Sequence, residues 1–171
     1  MQEIITMWKV SRMSALLLTV LLLVAGCGGK DTTAYKGAKY PPTTKVIPAF
    51  QPSQVPVSCR VFSHLLVWLP RDSNGTTIAQ AVVKEAKAHG ADMLLIGGSR
   101  QTEDDKGPEF VYYGPGQEYK CNDKWCGWKF GYDVWADQGD WVTLGYKEWG
   151  NGDVTFDFPI VLQAAFLRCQ D

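Results

Sequence analysis

The stretch 82-VVKEAKAHGADMLLIGG-98 joins a helical pattern directly to a strand pattern. Ile78, Val82 and Ala86 recur at helical spacing, which predicts a helix over about 76–89 with one buried face. The continuous apolar run 93–98 follows at once and predicts a buried strand. We therefore expect a packed helix that leads straight into the core of a sheet.

Residues at the ends of this helix match known capping patterns. Thr77, with Gln80 three residues further on, fits a capping box at the start. Gly90 stands where a left-handed C-terminal cap is expected. These signals predict a helix with defined ends.

Apolar segments on either side of the helix extend the sheet. Residues 59–69 are rich in β-branched and aromatic residues and predict a buried strand, so that strand, helix and strand form a βαβ-like unit. A short edge strand is predicted over 46–50, where Pro48 removes a backbone donor. The final run 160–168 fits both helix and strand templates, and its place after other strand signals favours a strand. The fold class predicted is α+β, a small mostly antiparallel sheet with one main packed helix.

Aromatic residues are dense between Phe110 and Trp149. Trp128, Phe130 and Tyr132 alternate with other residues, which predicts a strand with its aromatic side chains on one face. Further strands are predicted over 141–146 and 154–158, the latter after a hairpin signal at 150–153.

The N-terminal segment has the features of an export signal. Lys9 and Arg12 precede the apolar run 15–25, which is shorter than the roughly 20 residues that a membrane-spanning helix needs. Val24-Ala25-Gly26-Cys27 resembles the lipobox of bacterial lipoproteins, and this resemblance implies cleavage before Cys27 and acylation of its thiol. More than one acyl chain gives stable membrane anchoring. Gly28, rather than Asp, follows the lipid-bearing cysteine, and by similarity to the enteric sorting pattern this implies the outer membrane.

The chain is accordingly divided into a lipoprotein signal peptide at 1–26, a lipidated tether at 27–43 and a single domain at 44–171. The tether is assigned because 28–43 shows no apolar periodicity. One domain fits this length.

Four further cysteines are present in a chain that is expected to reach an oxidising compartment. Three pairings are possible, and we favour Cys59 with Cys169 and Cys121 with Cys126, which together staple the domain. Zinc binding is the alternative, but the Cys-x4-Cys spacing with two distant histidines matches no common zinc pattern.

The charge and the motifs weigh against several classes of function. The formal net charge is −1 and no basic cluster is present, which weighs against nucleic-acid binding. The sequence shows no glycine-rich phosphate loop, serine-nucleophile elbow or His-Glu-x-x-His motif. The acidic residues 103–105 lack calcium-loop spacing and are interpreted as a solvated loop. We expect no enzyme activity, no cofactor and no metal.

The aromatic block contains the candidate binding residues. The candidates are Tyr112, Tyr113, Trp125 and Trp128. Tyr112, Tyr113 and Trp125, like Tyr119, lie among glycines, prolines and polar residues, where burial is harder. Exposed Trp and Tyr rings stack on sugars or anchor protein partners. The alternative is that these rings form core, because alternating aromatic residues also fill a small domain.

The segment 82–98, with an Ala-rich helix ending in Gly-Ala-Asp before an apolar strand, resembles the Rcs envelope-stress sensor lipoprotein and related uncharacterised outer-membrane lipoproteins. The lipobox, the proline-rich entry and the four mature cysteines are similar too. The resemblance implies a small sheet with packed helices, two disulfides and signalling through protein contact. The cysteine spacing differs, and the region 110–149 has no counterpart, so the identity of the partner does not transfer.

We therefore expect a membrane-tethered envelope lipoprotein that acts by binding or signalling through protein contacts. The alternative is a glycan or peptidoglycan-binding module that uses exposed Trp and Tyr.

Overall fold

The computed structural model describes residues 34–121, 126 and 128–169. Two helices are described, α1 (Gly75–Ala88) and the short α2 (Tyr132–Ala136), besides a 3-10 turn at Pro52–Gln54. The strands are β1 (Ile47–Ala49), β2 (Cys59–Leu69), β3 (Ser73–Asn74), β4 (Met93–Gln101), β5 (Glu109–Gly114), β6 (Tyr119–Lys120), β7 (Trp141–Val142), β8 (Thr155–Phe156) and β9 (Ile160–Cys169).

The main sheet has the order β1-β4-β9-β2-β5, with β6 also pairing with β2 and β7 with β4. Only the β1–β4 pair is parallel among the pairs described, so the predicted α+β fold with a mostly antiparallel sheet is confirmed. β2 and β4 are connected through α1 and both run antiparallel to β9, which lies between them. The βαβ-like unit is therefore split by the last strand of the chain.

The ambiguous run near the C-terminus is a strand, β9, as we favoured. Its side chains alternate between two buried layers. Ile160, Leu162 and Phe166 pack with α1, whereas Val161 and Leu167 lie in clusters on the other face of the sheet. Because both faces of this central strand are covered, its sequence is apolar at nearly every position rather than alternating, with Gln163 and Arg168 as the exceptions.

Helix α1 begins at Gly75 and has a different N-terminal cap from the predicted one. Asn74 is the N-cap, its side chain accepts the Thr77 backbone N–H at 2.8 Å, and Thr77 completes the box from the third helical position. The prediction that Thr77 pairs with Gln80 is therefore wrong, because the chain becomes helical three residues earlier.

The C-terminal end of α1 has the predicted glycine cap. Gly90 has φ of 81°, and its N–H donates to the Lys87 carbonyl while Ala91 N–H donates to the Ala86 carbonyl. These two bonds define a Schellman motif, which satisfies helix carbonyls and turns the chain into β4.

The predicted aromatic strand around Trp128, Phe130 and Tyr132 is not formed. Residues 128–131 lie in turns, Gly131 has φ of 69°, and α2 begins at Tyr132. The strands predicted over 141–146 and 154–158 shrink to the two-residue strands β7 and β8. The physical reason is that this region folds back over the sheet instead of extending it.

Both predicted disulfides are present, Cys59 with Cys169 and Cys121 with Cys126. Cys59 and Cys169 lie directly opposite each other on β2 and β9, so this bridge fastens the two central strands. Cysteines paired in this way offer no thiolates to zinc.

The segment 34–43, which is predicted to belong to the tether, packs against the domain. Tyr35 and Tyr40 contact the cluster around α1, and Thr43 N–H donates to the Lys87 carbonyl at 3.0 Å. The packed part of the chain therefore begins about ten residues before the predicted boundary at 44.

Candidate functional site

Two of the predicted site residues, Cys27 and Trp125, lie outside the described residues. Acylation of Cys27 stays a prediction. Among the described residues no helix has the length and apolar character needed to cross a membrane.

Tyr112 lies in the core, where only 3% of its surface is exposed. Its hydroxyl donates to the Glu85 side chain. Burial, together with this contact and the Glu85 charge, raises the pKa of Tyr112 far above its ordinary value. Tyr112 therefore does not present an exposed ring, contrary to its place among the candidate binding residues.

Tyr113 and Trp128 are half-buried and occupy separate places. Tyr113 borders a cleft of about 420 Å³ between residues 36–38 and 114–118, and burial raises the pKa of its hydroxyl. The Trp128 ring lies on the backbone of β4 at Gly97, where an added Cβ would be 2.2 Å from the indole. The three of these residues that the structure describes, Tyr112, Tyr113 and Trp128, are thus not brought together into one surface.

A different aromatic group is exposed at the far end of β4. Arg100 and Trp141 are directly opposite each other on β4 and β7. The Arg100 guanidinium lies 4.7 Å from the centre of the Trp135 ring and 4.8 Å from that of Trp141. Arg100 also donates to the carbonyls of Gln138 and Gly139. We call Arg100, Trp135 and Trp141 the aromatic platform.

The platform has one buried and one exposed indole. Trp135 packs over Gly98 and is 2% exposed, whereas Trp141 is 67% exposed. The two rings meet edge to face with their centres 4.8 Å apart. Aromatic and cation–π contacts of this kind hold the exposed indole in a fixed orientation. Tyr132 and Val134 on α2 are also exposed, and the centre of the Tyr132 ring lies 5.9 Å from that of Trp135.

A cleft of about 590 Å³ is lined by acidic and amide residues that follow Arg100 or precede Trp141 in the sequence. The β4–β7 ladder continues past Arg100, because Gln101 N–H donates to the Asp140 carbonyl at 2.8 Å and Gly139 N–H donates to the Gln101 carbonyl at 2.9 Å. This pairing sets residues 101–104 beside 137–140, and these eight residues line the cleft. The lining carries four carboxylates: Glu103, Asp104, Asp137 and Asp140.

Asp105, the third acidic residue of the loop, pairs with Arg71. Asp105 accepts from the Arg71 backbone N–H and from Arg71 Nε, and these bonds lower the pKa of its carboxyl. All three acidic residues are exposed and lie in a loop, as predicted, and Glu103 and Asp104 also form part of the cleft wall. In the residues described, no group of three or more His, Cys, Asp or Glu side chains is placed to hold a metal ion.

The aromatic platform and the cleft were not predicted from the sequence, although the glycine pair beneath the platform carries a signal. The glycine pair 97–98 inside an apolar strand is a signal of close approach by another group, here the indoles of Trp128 and Trp135. The pairing of Arg100 with Trp141 joins residues about forty positions apart, and no local pattern reveals that register.

Comparison of the chain with protein-family models, with curated proteins and with solved structures finds no match. The site is therefore interpreted from its own chemistry: an oriented, exposed indole beside a cleft lined with carboxylates and amides.

Proposed function

We propose that this protein is a lipid-anchored lipoprotein of the bacterial envelope that works by binding a protein partner rather than by catalysis. The anchor is the acylated Cys27, and the outer membrane is the proposed location because Gly28 follows the lipid-bearing cysteine. The resemblance of 82–98 to envelope-stress sensor lipoproteins supports a signalling role through protein contact.

The observation that carries the proposal is the exposure of Trp141, of which 67% is open to solvent while the ring is held by Arg100 and Trp135. An exposed tryptophan with exposed apolar neighbours is typical of protein interaction sites. Because the ring is already oriented, little side-chain entropy is lost when a partner covers it.

Glycan or peptidoglycan binding is the second candidate, and the cleft is the observation that favours it. Sugars stack on exposed indoles while carboxylate and amide groups bond their hydroxyls. Gln101 and Gln138 line the cleft together with the four carboxylates.

The contact is tested by replacing the platform indole. Trp141→Ala should reduce co-purification of a discrete envelope protein at least tenfold, a loss of about 1.4 kcal/mol in binding free energy. Tyr146→Ala is the matched control, because Tyr146 is another exposed aromatic residue at 81% and lies outside the platform. Equal co-purification by both variants would contradict the proposal. Loss of retention on isolated sacculi in Trp141→Ala, with no protein partner, would favour the glycan candidate.

The anchor is tested separately by labelling cells with an alkyne analogue of palmitate. Cys27→Ala should lose the label and leave the membrane fraction, whereas Gly28→Ala, which keeps the cysteine, should retain both. A labelled Cys27→Ala protein would refute the lipid anchor.

A further inference from the structure

Three cationic residues lie side by side at one end of the main sheet. Arg60 on β2 is directly opposite both Lys120 on β6 and Arg168 on β9. Directly opposite residues of antiparallel strands project from the same face, with their Cβ atoms about 4.5–5.5 Å apart. We call these three residues the basic row, and we propose that it contacts the anionic lipid headgroups of the membrane that holds the anchor. The inference rests on the lipid anchor of the proposed function, and it adds an orientation of the domain on that membrane.

The described residues neutralise only one member of the basic row. Arg168 pairs with Asp92 at 3.0 Å and also donates to the Gly90 carbonyl. In the part of the chain that the structure describes, neither Arg60 nor Lys120 forms an ion pair. Like charges directly opposite each other destabilise a sheet. Because functional sites are where proteins break such rules, the unrelieved repulsion points to an anion that binds from outside.

The carboxylates near the row already have partners. Asp92 is paired with Arg168, and Glu118, two residues before Lys120, accepts a hydrogen bond from the Tyr40 hydroxyl. The Tyr40 ring in turn lies 5.6 Å from the Arg168 guanidinium. The exposed Lys39, next to Tyr40 in the chain, adds a further cation. This end of the domain therefore presents excess positive charge to solvent.

The described chain begins beside the basic row. Tyr35 stacks on His89 with ring centres 3.9 Å apart, and Gly90, the next residue, accepts from Arg168. The segment 27–34 reaches at most about 29 Å when it is fully extended. A lipid at its start therefore holds this end of the domain within reach of the headgroups. Their attraction for Lys and Arg acts over about 10 Å at 0.1 M salt.

The opposite end of the same strands carries negative charge and the aromatic platform. Val161 on β9 pairs with Arg100, which pairs with Trp141. Val161 and Arg168 are separated by about 24 Å of strand. The acidic residues 103–105 follow the end of β4 beside the platform. An anionic surface therefore attracts one end of the domain and repels the other, which leaves Trp141 accessible to a protein partner.

The experiment measures how fast a water-soluble acetylating ester modifies individual lysine amines, read by mass spectrometry. The full acylated protein is placed in nanodiscs of phosphatidylcholine, or of phosphatidylcholine with one-third phosphatidylglycerol. Lys120 reports on the basic row. The exposed Lys147 is the internal control, because its loop bonds to the first residue of α1 at the other end of the domain. Arg60→Gln removes one charge from the row, and Arg71→Gln, just beyond the opposite end of β2, is the matched variant.

Lys120 is expected to react at least fivefold more slowly in phosphatidylglycerol nanodiscs than in phosphatidylcholine alone, whereas Lys147 reacts equally in both. The slowing should fall below twofold in Arg60→Gln and in 500 mM NaCl, which screens the attraction, and should persist in Arg71→Gln. Equal rates for Lys120 in the two lipids, equal slowing of Lys147, or unchanged slowing in Arg60→Gln would overturn the inference. The same slowing by 10 mM inorganic phosphate in phosphatidylcholine nanodiscs would overturn it in favour of a soluble anion.

The urea midpoint of Arg60→Gln is a second, independent measurement. Because this substitution removes a like-charge neighbour from both Lys120 and Arg168, the variant is expected to be at least as stable as the unaltered protein. A lower midpoint would show that Arg60 stabilises the fold, and would overturn its assignment to an outside ligand.

The palmitate label separates this inference from the proposed function. A labelled protein whose Lys120 reacts equally in the two lipids refutes the basic row as a membrane contact and leaves the anchor standing. An unlabelled protein refutes the anchor itself, and the inference that rests on it.

Discussion

Two adjacent glycines in β4, Gly97 and Gly98, let the indoles of Trp128 and Trp135 pack on the sheet. Gly97 lies under the Trp128 ring, and Gly98 lies under Trp135, whose ring atoms are 2.6 Å from the position of an added Cβ. The absence of a side chain at these two positions lets two indoles rest directly on the strand. This contact covers one face of the sheet and positions Trp135 beneath Arg100.

We predict that Gly97→Ala destabilises the protein, because the new methyl group would lie 2.2 Å from the Trp128 ring. Overpacking of this kind costs about 1–3 kcal/mol in the free energy of unfolding. Gly116→Ala is the control, since nothing lies within 4 Å of its added Cβ. Urea unfolding followed by Trp fluorescence measures both, and a Gly97→Ala variant as stable as the control would contradict the packing described.

A second group of side chains joins the N-terminal segment to α1. Tyr35 stacks on His89 with ring centres 3.9 Å apart, and His89 Nε2 lies 3.2 Å from Glu85 Oε1. The same Glu85 oxygen accepts from Tyr112. The segment therefore contributes its own ring to the core that Tyr112 fills.

The buried state of Tyr35 predicts a loss of stability in alkali. Burial is the main cause that raises the pKa of Tyr35 to about 12, with a further increase from the Glu118 charge, against a lowering by Ser63. The folded protein thus holds this proton more tightly than the unfolded chain does. Its stabilising effect is complete below the ordinary tyrosine pKa of about 10 and is lost as the pH rises from there towards 12.

Urea midpoints at pH 8, 10 and 11.5 test this titration. Tyr35→Phe should flatten the decline above pH 10 relative to the unaltered protein, whereas Tyr146→Phe, at a residue 81% exposed, should not. An unchanged decline in Tyr35→Phe would show that the hydroxyl of Tyr35 is not the group responsible.

At the scale of elements, the sequence predicts those whose pattern is set locally. Helix α1 and strands β2 and β4 show periodicity or continuous apolar runs within their own residues, and these were confirmed. The alternation at 128–132 is equally local, but its outcome depends on the glycines of β4, far away in the chain. Turn geometry at Gly131 and packing onto the sheet therefore override the strand pattern.

The candidate site was unpredictable for a related reason. The sequence shows Trp141 and the acidic residues 103–104 separately. Only the register between β4 and β7 places residues 101–104 beside 137–140. Such long-range register depends on the whole sheet rather than on any window of sequence. The cysteine pairing was predictable because Cys59 and Cys169 bound the two long apolar strands.

The two disulfides should differ in their effect on stability. The Cys59–Cys169 bridge spans 110 positions and the Cys121–Cys126 bridge spans 5. In the chain-entropy model, loops of these sizes give about 4.8 and about 2.1 kcal/mol. We predict that the double substitution Cys59→Ser with Cys169→Ser lowers the free energy of unfolding by about 2.7 kcal/mol more than Cys121→Ser with Cys126→Ser. Chemical denaturation compares the two pairs, and a larger loss for the short loop would contradict this account.

At the scale of the whole molecule, the packing of 34–43 shortens the link between the domain and the lipid that is proposed on Cys27. The eight residues from Cys27 to Ala34 span at most about 3.6 Å each when extended. The seventeen residues of the predicted tether at 27–43 would have roughly twice that reach. The proposed partner is therefore expected close to the membrane surface.

The central claim is that Trp141 contacts a protein partner in the cell envelope. It is tested most directly by in-cell photo-crosslinking with a photoreactive amino acid in place of Trp141, and with the same amino acid in place of Tyr146 as the exposed control. We predict a discrete protein adduct from position 141 that is absent from position 146. Capture on sacculi alone, or the same adducts from both positions, would contradict the account.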